Sequence, residues 1–391
     1  MTRTSHFRPS LLASLVGVVA LALALLVCAT SSASPRQPAR AAASAPAGSG
    51  LSLLAPTGRY RVGTLSIPVR DPSRHGETMV QLFYPTLAGH GRPAPYLPPK
   101  TTRLTAAAFH LPVSMIANIA THAFADAPPA PGARPVILFS PGLTELRSDA
   151  TALDVELASR GFVVVAIDHP HEAALVEFPN GRVIPGTFVD SSNPGTSTRL
   201  RAKAVRARIG DIAAVLHALP KLDAEGPLRG RLDLSRIGMF GFSLGGATAD
   251  EAMHALPRIR AGIDLDGSLY GPSLTTPLDR PFLLLARDGH STLTDPSWRR
   301  GWSMLHIWRR EIRLIGSGHG DFGDDAAFIQ QLAPGSTDPT GYYGPINPDR
   351  ATTAIRQVLV AFFERFLLGD RAADRLLDTP ARANHDLLRL R

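Results

Sequence analysis

Eight short apolar runs recur along the chain, at residues 60–68, 79–84, 135–139, 162–167, 236–241, 259–265, 282–286 and 311–315, and several are continuous rather than alternating. A strand exposed on one face alternates apolar and polar side chains, whereas a strand covered on both faces is apolar throughout. Between the runs lie stretches with a helical period, among them 149–159 and 199–219. In the second, Val205, Ile209, Ile212, Leu216 and Leu219 step by four and three, which makes one apolar stripe and leaves the arginines of that segment on a solvated face. Strands alternating with helices predict an α/β fold, a mostly parallel central sheet with helices on both faces. Ligands of such a sheet gather at the carboxyl ends of its strands.

Three segments read as insertions at that rim: 101–127, apolar and helical; 171–198, loop-like; and 291–308, which holds all three tryptophans. They suit either a lid over an acyl pocket or ordinary packing against the sheet. No internal repeat is visible. With 391 residues and 44% hydrophobic content the chain is long enough for one large domain, expected over 56–370, with a helical or disordered tail over 371–391.

The amino terminus is different. Arg3 and Arg8 precede a charge-free apolar run over 11–27, and small residues follow, ending Ser31-Ser32-Ala33. This pattern reads as a secretory signal peptide over 1–33, with release after Ala33. An uncleaved membrane anchor and lipidation at Cys28 are the competing readings, and all three place the protein outside the cytoplasm, secreted or at the cell envelope. Residues 34–55, rich in Ala, Pro, Ser and Gly, suit a flexible tether. Cys28 is the only cysteine, so a chain cut after Ala33 has neither disulfide nor thiol nucleophile. The cut also removes two arginines and no acid, taking the formal net charge from +8 to +6. A basic surface of this kind is either plain solvated surface or a peripheral contact for anionic lipid. The cations are dispersed and not interleaved with aromatics, which argues against nucleic acid.

One motif carries chemistry. Gly241-Phe242-Ser243-Leu244-Gly245 is a G-x-S-x-G sequence in which a strand is expected to end and a helix over 247–256 to begin. A serine on such a tight turn is the mark of the α/β-hydrolase fold, and the helix behind it directs N–H groups at negative charge forming beside Ser243. A serine hydroxyl is a weak nucleophile and needs a histidine base oriented by a carboxylate, both of which follow it in this fold. Of the late histidines His290, His306, His319 and His385, the best placed is His319, in the glycine-rich segment Gly316-Ser317-Gly318-His319-Gly320-Asp321-Phe322. Two carboxylates end consecutive strands, Asp266 and Asp288. The commoner arrangement in this fold favours Asp288, and spacing alone does not separate them.

Four segments together resemble the platelet-activating-factor acetylhydrolase family of secreted serine-dependent phospholipases: Phe139-Ser140-Pro141-Gly142-Leu143, residues 156–162, Gly241 to Gly246, and Gly316 to Phe322. The resemblance runs from near Arg59 to near Leu367. It implies that the acid is Asp266, with Asp288 the alternative and Asp264 a support of the same loop, and that the backbone N–H groups of Leu143 and Leu244 form an oxyanion hole. Pro141 departs from the histidine usual at that place in the family. The implied activity is hydrolysis of a short acyl ester of a phospholipid or similar lipid, with no metal and no organic cofactor. A lipase or polyester hydrolase, and an inactive hydrolase-like binding protein of the envelope, are the competing readings. Nothing in the sequence bears on oligomeric state.

Overall fold

The computed structural model describes residues 50–71, 76–379 and 387–390. The expected signal peptide, Cys28 and residues 34–49 of the expected tether lie outside the described residues. Among the described residues, no helix is long and apolar enough to cross a membrane.

The strands are β1 (Arg61–Asp71), β2 (Gly76–Thr86), β3 (Ala123–Ala125), β4 (Arg134–Ser140), β5 (Val163–Ile167), β6 (Leu175–Glu177), β7 (Val183–Pro185), β8 (Leu232–Phe242), β9 (Ile259–Leu265), β10 (Phe282–Arg287), β11 (Arg309–Leu314) and β12 (Leu388–Leu390). β6 and β7 form a small hairpin; the other ten make one sheet in the order β12-β11-β10-β9-β8-β4-β5-β2-β1-β3. From β5 to β11 every neighbouring pair is parallel, while β2 runs antiparallel to both β1 and β5. All eight expected strands are present within a few residues of their sequence bounds.

The continuous apolar runs have the cause the sequence gives them. Along β4, Ile137 and Phe139 point into one core, and Val136 and Leu138 into the other. The helices, in chain order, are α1 (Pro99–Ala108), α2 (Val113–Ala117), α3 (Thr151–Ser159), α4 (Pro194–Ala224), α5 (Leu244–Ala255), α6 (Pro296–Met304), α7 (Asp325–Leu332), α8 (Pro348–Phe363) and α9 (Asp374–Asp378). The face with Phe139 is covered by α3 and α8, through Leu153, Leu157, Ile355 and Leu359. The opposite face is covered by α4 and α5, through Ile212, Leu216, Ala252 and Met253. One detail of α4 corrects the sequence reading. Arg208 does not join its solvated arginines: it is 1% exposed and points back under the loop after β4.

Two further features concern the ends. Leu51 and Leu53 are buried, and this segment pairs with Ala120, so the packed chain starts inside the stretch read as tether. Arg356, buried on α8, holds it there by donating to the carbonyls of Leu54, Ala55 and Ala152 at 2.7–3.1 Å. At the other end, the segment read as a helical or disordered tail carries α9 and also β12, whose three residues extend the sheet beside β11. Arg356→Met removes these hydrogen bonds and the buried cation 3.9 Å from Glu156, at a cost of about 3 kcal/mol. The urea midpoint is expected to fall accordingly, and a protease to cut within residues 50–60 faster than in the wild-type protein; an unchanged midpoint contradicts this role.

Candidate active site

The loops that leave β4, β8, β9, β10 and β11 meet at the carboxyl edge of the sheet. The chain leaves β4 toward β5 on one side and returns to β8 on the other, which opens a crevice at the change of direction. Ser243 sits in that crevice.

Ser243 is forced into its position by its neighbours. It joins β8 directly to α5 with φ 54° and ψ −118°, a conformation that costs a side-chain-bearing residue about 1–3 kcal/mol. The turn closes only because the flanking residues lack a Cβ. One on Gly241 would stand 2.0 Å from the Gly245 carbonyl oxygen, and one on Gly245 would stand 1.9 Å from that of Ser140. Asp264, at the end of β9, accepts from Gly267 N and braces the next loop.

Asp266 and His319 complete a chain of contacts. His319 Nδ1 lies 2.5 Å from Asp266 Oδ2, and His319 Nε2 lies 2.9 Å from Ser243 Oγ. An ionised carboxylate only accepts, so Nδ1 carries the proton and Nε2 is free to accept from the serine hydroxyl. The ring lies between Phe242 and the edge of Tyr342, with centroids 4.8 and 5.7 Å away. Its loop is closed by Asp321, which accepts from Gly318 N and Gly344 N, both at 2.7 Å. Asp288 is not brought to His319. It is exposed and accepts from Gly316 N at 3.0 Å, shaping the start of the same loop.

Asp266 is 3% exposed. Burial alone would raise its pKa, but hydrogen bonds from His290 and His319 outweigh it and hold the carboxyl below its ordinary value. His290 is the residue that sequence reasoning passed over. Its Nδ1 lies 2.6 Å from Asp266 Oδ1 and its Nε2 3.1 Å from Asp295 Oδ2. Burial works against its proton, yet the two carboxylates raise its pKa to about 9. In sequence the only clue was a histidine three residues past a strand end; one partner, Asp266, comes from the loop after β9 and the other, Asp295, from five residues on in its own loop.

Leu143 and Leu244 both line the cavity over Ser243. Leu244 opens α5, where the first N–H groups of a helix have no partner within it. Around Leu143 the loop is held by charge. Gly142 N donates to Glu145 and Thr144 N to Glu172, while Arg208 donates to the carbonyls of Pro141 and Gly142 and pairs with Glu172. Arg208 thus fastens the backbone at the very position where Pro141 departs from the family pattern.

The cavity has a volume of about 1160 Å³ and is lined from all three inserted segments, by Phe109 and Ile116, by Phe188 and Val189, and by Thr294 and Pro296. The tryptophans of the third segment take the packing role instead: Trp298 is fully buried beneath the sheet's edge and donates to Gly267 O. Opposite the histidine the wall holds Glu145, Asp149 and Asp325, all raised by burial, Asp149 to about 7.

Residues 49–376 match the family model for platelet-activating factor acetylhydrolase, isoform II. The chain belongs to this family. Among its relatives, a probable 1-alkyl-2-acetylglycerophosphocholine esterase of Arthroderma benhamiae is 30% identical over 60% of this chain and 61% of that protein. The platelet-activating factor acetylhydrolase of Cavia porcellus is 25% identical over 62% of this chain and 59% of its own. The chain therefore spans about 60% of the length of these family members. A solved structure of a ferulic acid esterase from Streptomyces cinnamoneus superposes with a TM-score of 0.74 and 34% identity, covering 88% of this chain and 99% of the other. The α/β-hydrolase fold of the family is the architecture described above.

The raised pKa of His290 ties stability to pH. A cation whose pKa rises on folding stabilises fully below its unfolded value near 6.5, and that contribution is lost as pH climbs through about 9. The wild-type protein is expected to lose up to about 3 kcal/mol between these limits relative to His290→Gln. Urea unfolding of both proteins at neutral pH and at high pH measures this, and parallel curves contradict it.

Proposed function

We propose that this protein is an exported serine hydrolase of carboxylic esters. The observation that carries the reading is the unbroken contact from Asp266 through His319 to Ser243, at the floor of a cavity walled largely by apolar side chains. His319 Nε2 takes the Ser243 proton as Oγ attacks the ester carbonyl, and Asp266 stabilises the imidazolium that forms. The N–H groups of Leu143 and Leu244 receive the negative oxygen of the tetrahedral intermediate. The alcohol leaves with the proton from His319, giving an acyl-Ser243, which water, activated by the same histidine, hydrolyses. Export follows from the basic, then apolar, then small-residue order of residues 1–33.

The primary substrate reading is a short acyl ester of a glycerophospholipid, the bond named for the family members above. A second reading is favoured by the cavity, whose aromatic residues Tyr96, Phe109, Phe188 and Tyr342 suit a flat acyl group. It also agrees with the ferulic acid esterase and with a bis(hydroxyethyl) terephthalate hydrolase of Streptomyces coelicolor, 30% identical over 33% of this chain.

Ser243→Ala is expected to lower kcat by at least about 10⁴-fold while leaving the thermal transition in place. Asp266→Asn is expected to cost about 10³- to 10⁴-fold, and Asp288→Asn less than about threefold. The reverse order of the two asparagine variants would move the acid to Asp288. Comparing an acetylated alkyl glycerophosphocholine, a long-chain analogue and methyl ferulate decides the substrate: preference for the first supports the lipid reading, and preference for ferulate the aromatic one.

A further inference from the structure

Asp266 is gripped from two sides. His319 reaches Oδ2 from the loop after β11, and His290 reaches Oδ1 from the loop after β10, the strand end that more often supplies the acid in this fold. No step of the proposed reaction uses His290, although its ring is buried and fixed. It lies on Trp298 with centroids 4.1 Å apart, and the indole is tied in turn to the Asp266 loop through Gly267 O. Asp295, on the far side of the ring, is equally fixed: it caps α6 by accepting from Ser297 N and Trp298 N, and accepts from Ser268 Oγ at 2.6 Å.

We propose that His290 is a positioning residue for this reaction: as a cation shared between Asp266 and Asp295, it aims the Asp266 carboxylate at His319 and extends to lower pH the range in which the enzyme works. The proposal rests on the Ser243–His319–Asp266 reading above.

A carboxylate beside an imidazole favours the imidazolium and raises the pH at which the ring protonates. Asp295 is a like charge close to Asp266, and His290 in its charged form stands between the two carboxylates and offsets it. Burial opposes the His290 proton, but both carboxylates retain it up to about pH 9, so the cancellation holds through the acid and neutral range. The other groups facing this cluster do not substitute for it. Burial pushes the Asp264 carboxyl well up, and it accepts from Gly267 N rather than from either histidine. Arg287 Nε lies 3.3 Å from Asp266 Oδ2, but its side chain is 42% exposed and solvent screens it far more than the buried His290. Asp288 is turned to solvent and bound to Gly316 N.

Two variants move the balance in opposite directions. His290→Gln keeps an amide donor for Asp266 but removes the cation, so the acid limb of the activity profile moves to higher pH. Asp295→Asn keeps a helix cap and an acceptor for His290 but removes an anion, so the acid limb of the activity profile moves to lower pH. A residue needed only for packing would lower activity at all pH values alike.

The test is the pH dependence of kcat/KM for p-nitrophenyl acetate, measured on the purified protein, both variants and Ser243→Ala. Relative to wild type, the ratio of activity at about pH 5.5 to that at about pH 8 is expected to fall about tenfold in His290→Gln, which is one pKa unit, and to rise in Asp295→Asn. Profiles that superimpose on wild type after scaling, or that shift in the same direction in both variants, overturn the proposal. If His290→Gln does not fold, a profile of Asp295→Asn that fails to move to lower pH overturns it alone. Activity retained by Ser243→Ala strikes the underlying reading instead, so the two failures are separate.

Discussion

The site depends on one buried negative charge. A carboxylate as enclosed as Asp266 is tolerated only when its oxygens are saturated with donors, and a lone buried charge would instead take up a proton. Asp266 finds its donors on two loops: Arg287 N and His290 at the end of β10 and just past it, and His319 after β11, with the guanidinium of Arg287 at longer range. Satisfying the charge therefore draws these loops together over the turn that carries Ser243. The backbone is arranged to match. Asp266 itself has φ 57°, which turns its side chain away from the direction of β9 and toward the histidines.

The opposite wall obeys the same logic with the sign reversed. Arg208, buried on α4, places a cation beneath the loop after β4, where four acceptors take its hydrogen bonds: Ser140 Oγ, the Pro141 and Gly142 carbonyls and Glu172. The carbonyls are pulled down into the protein. Leu143 is left at the cavity beside Leu244, where the proposed reaction needs donors already in place before charge develops. Two buried charges of opposite sign, one for each side of Ser243, thus fix the geometry of the cleft.

What was legible in the sequence was local. Eight strands could be read because burial on both faces makes each an apolar run, and the Ser243 turn because its glycines lie next to the serine in the chain. Strand β12 left no such trace, since three residues at a sheet edge carry too short a pattern. Arg208 was misplaced because helical period marks a side chain as outside the apolar stripe, not whether a charged partner waits there. His290 went unused because its role is set by Asp266, on a loop 24 residues away, together with Asp295, five residues on in its own loop. The choice between Asp266 and Asp288 turned on backbone direction at two strand ends, which spacing does not encode; the family resemblance pointed to Asp266, and His319 lies against it.

The central claim is that Ser243 is a nucleophile activated by His319. A fluorophosphonate probe reports this directly, because it bonds only to a serine whose proton can be removed. Peptide mapping of the labelled protein is expected to find one adduct, on the peptide carrying Ser243, and none in His319→Ala. An adduct on a different serine, or undiminished labelling without His319, would contradict the account.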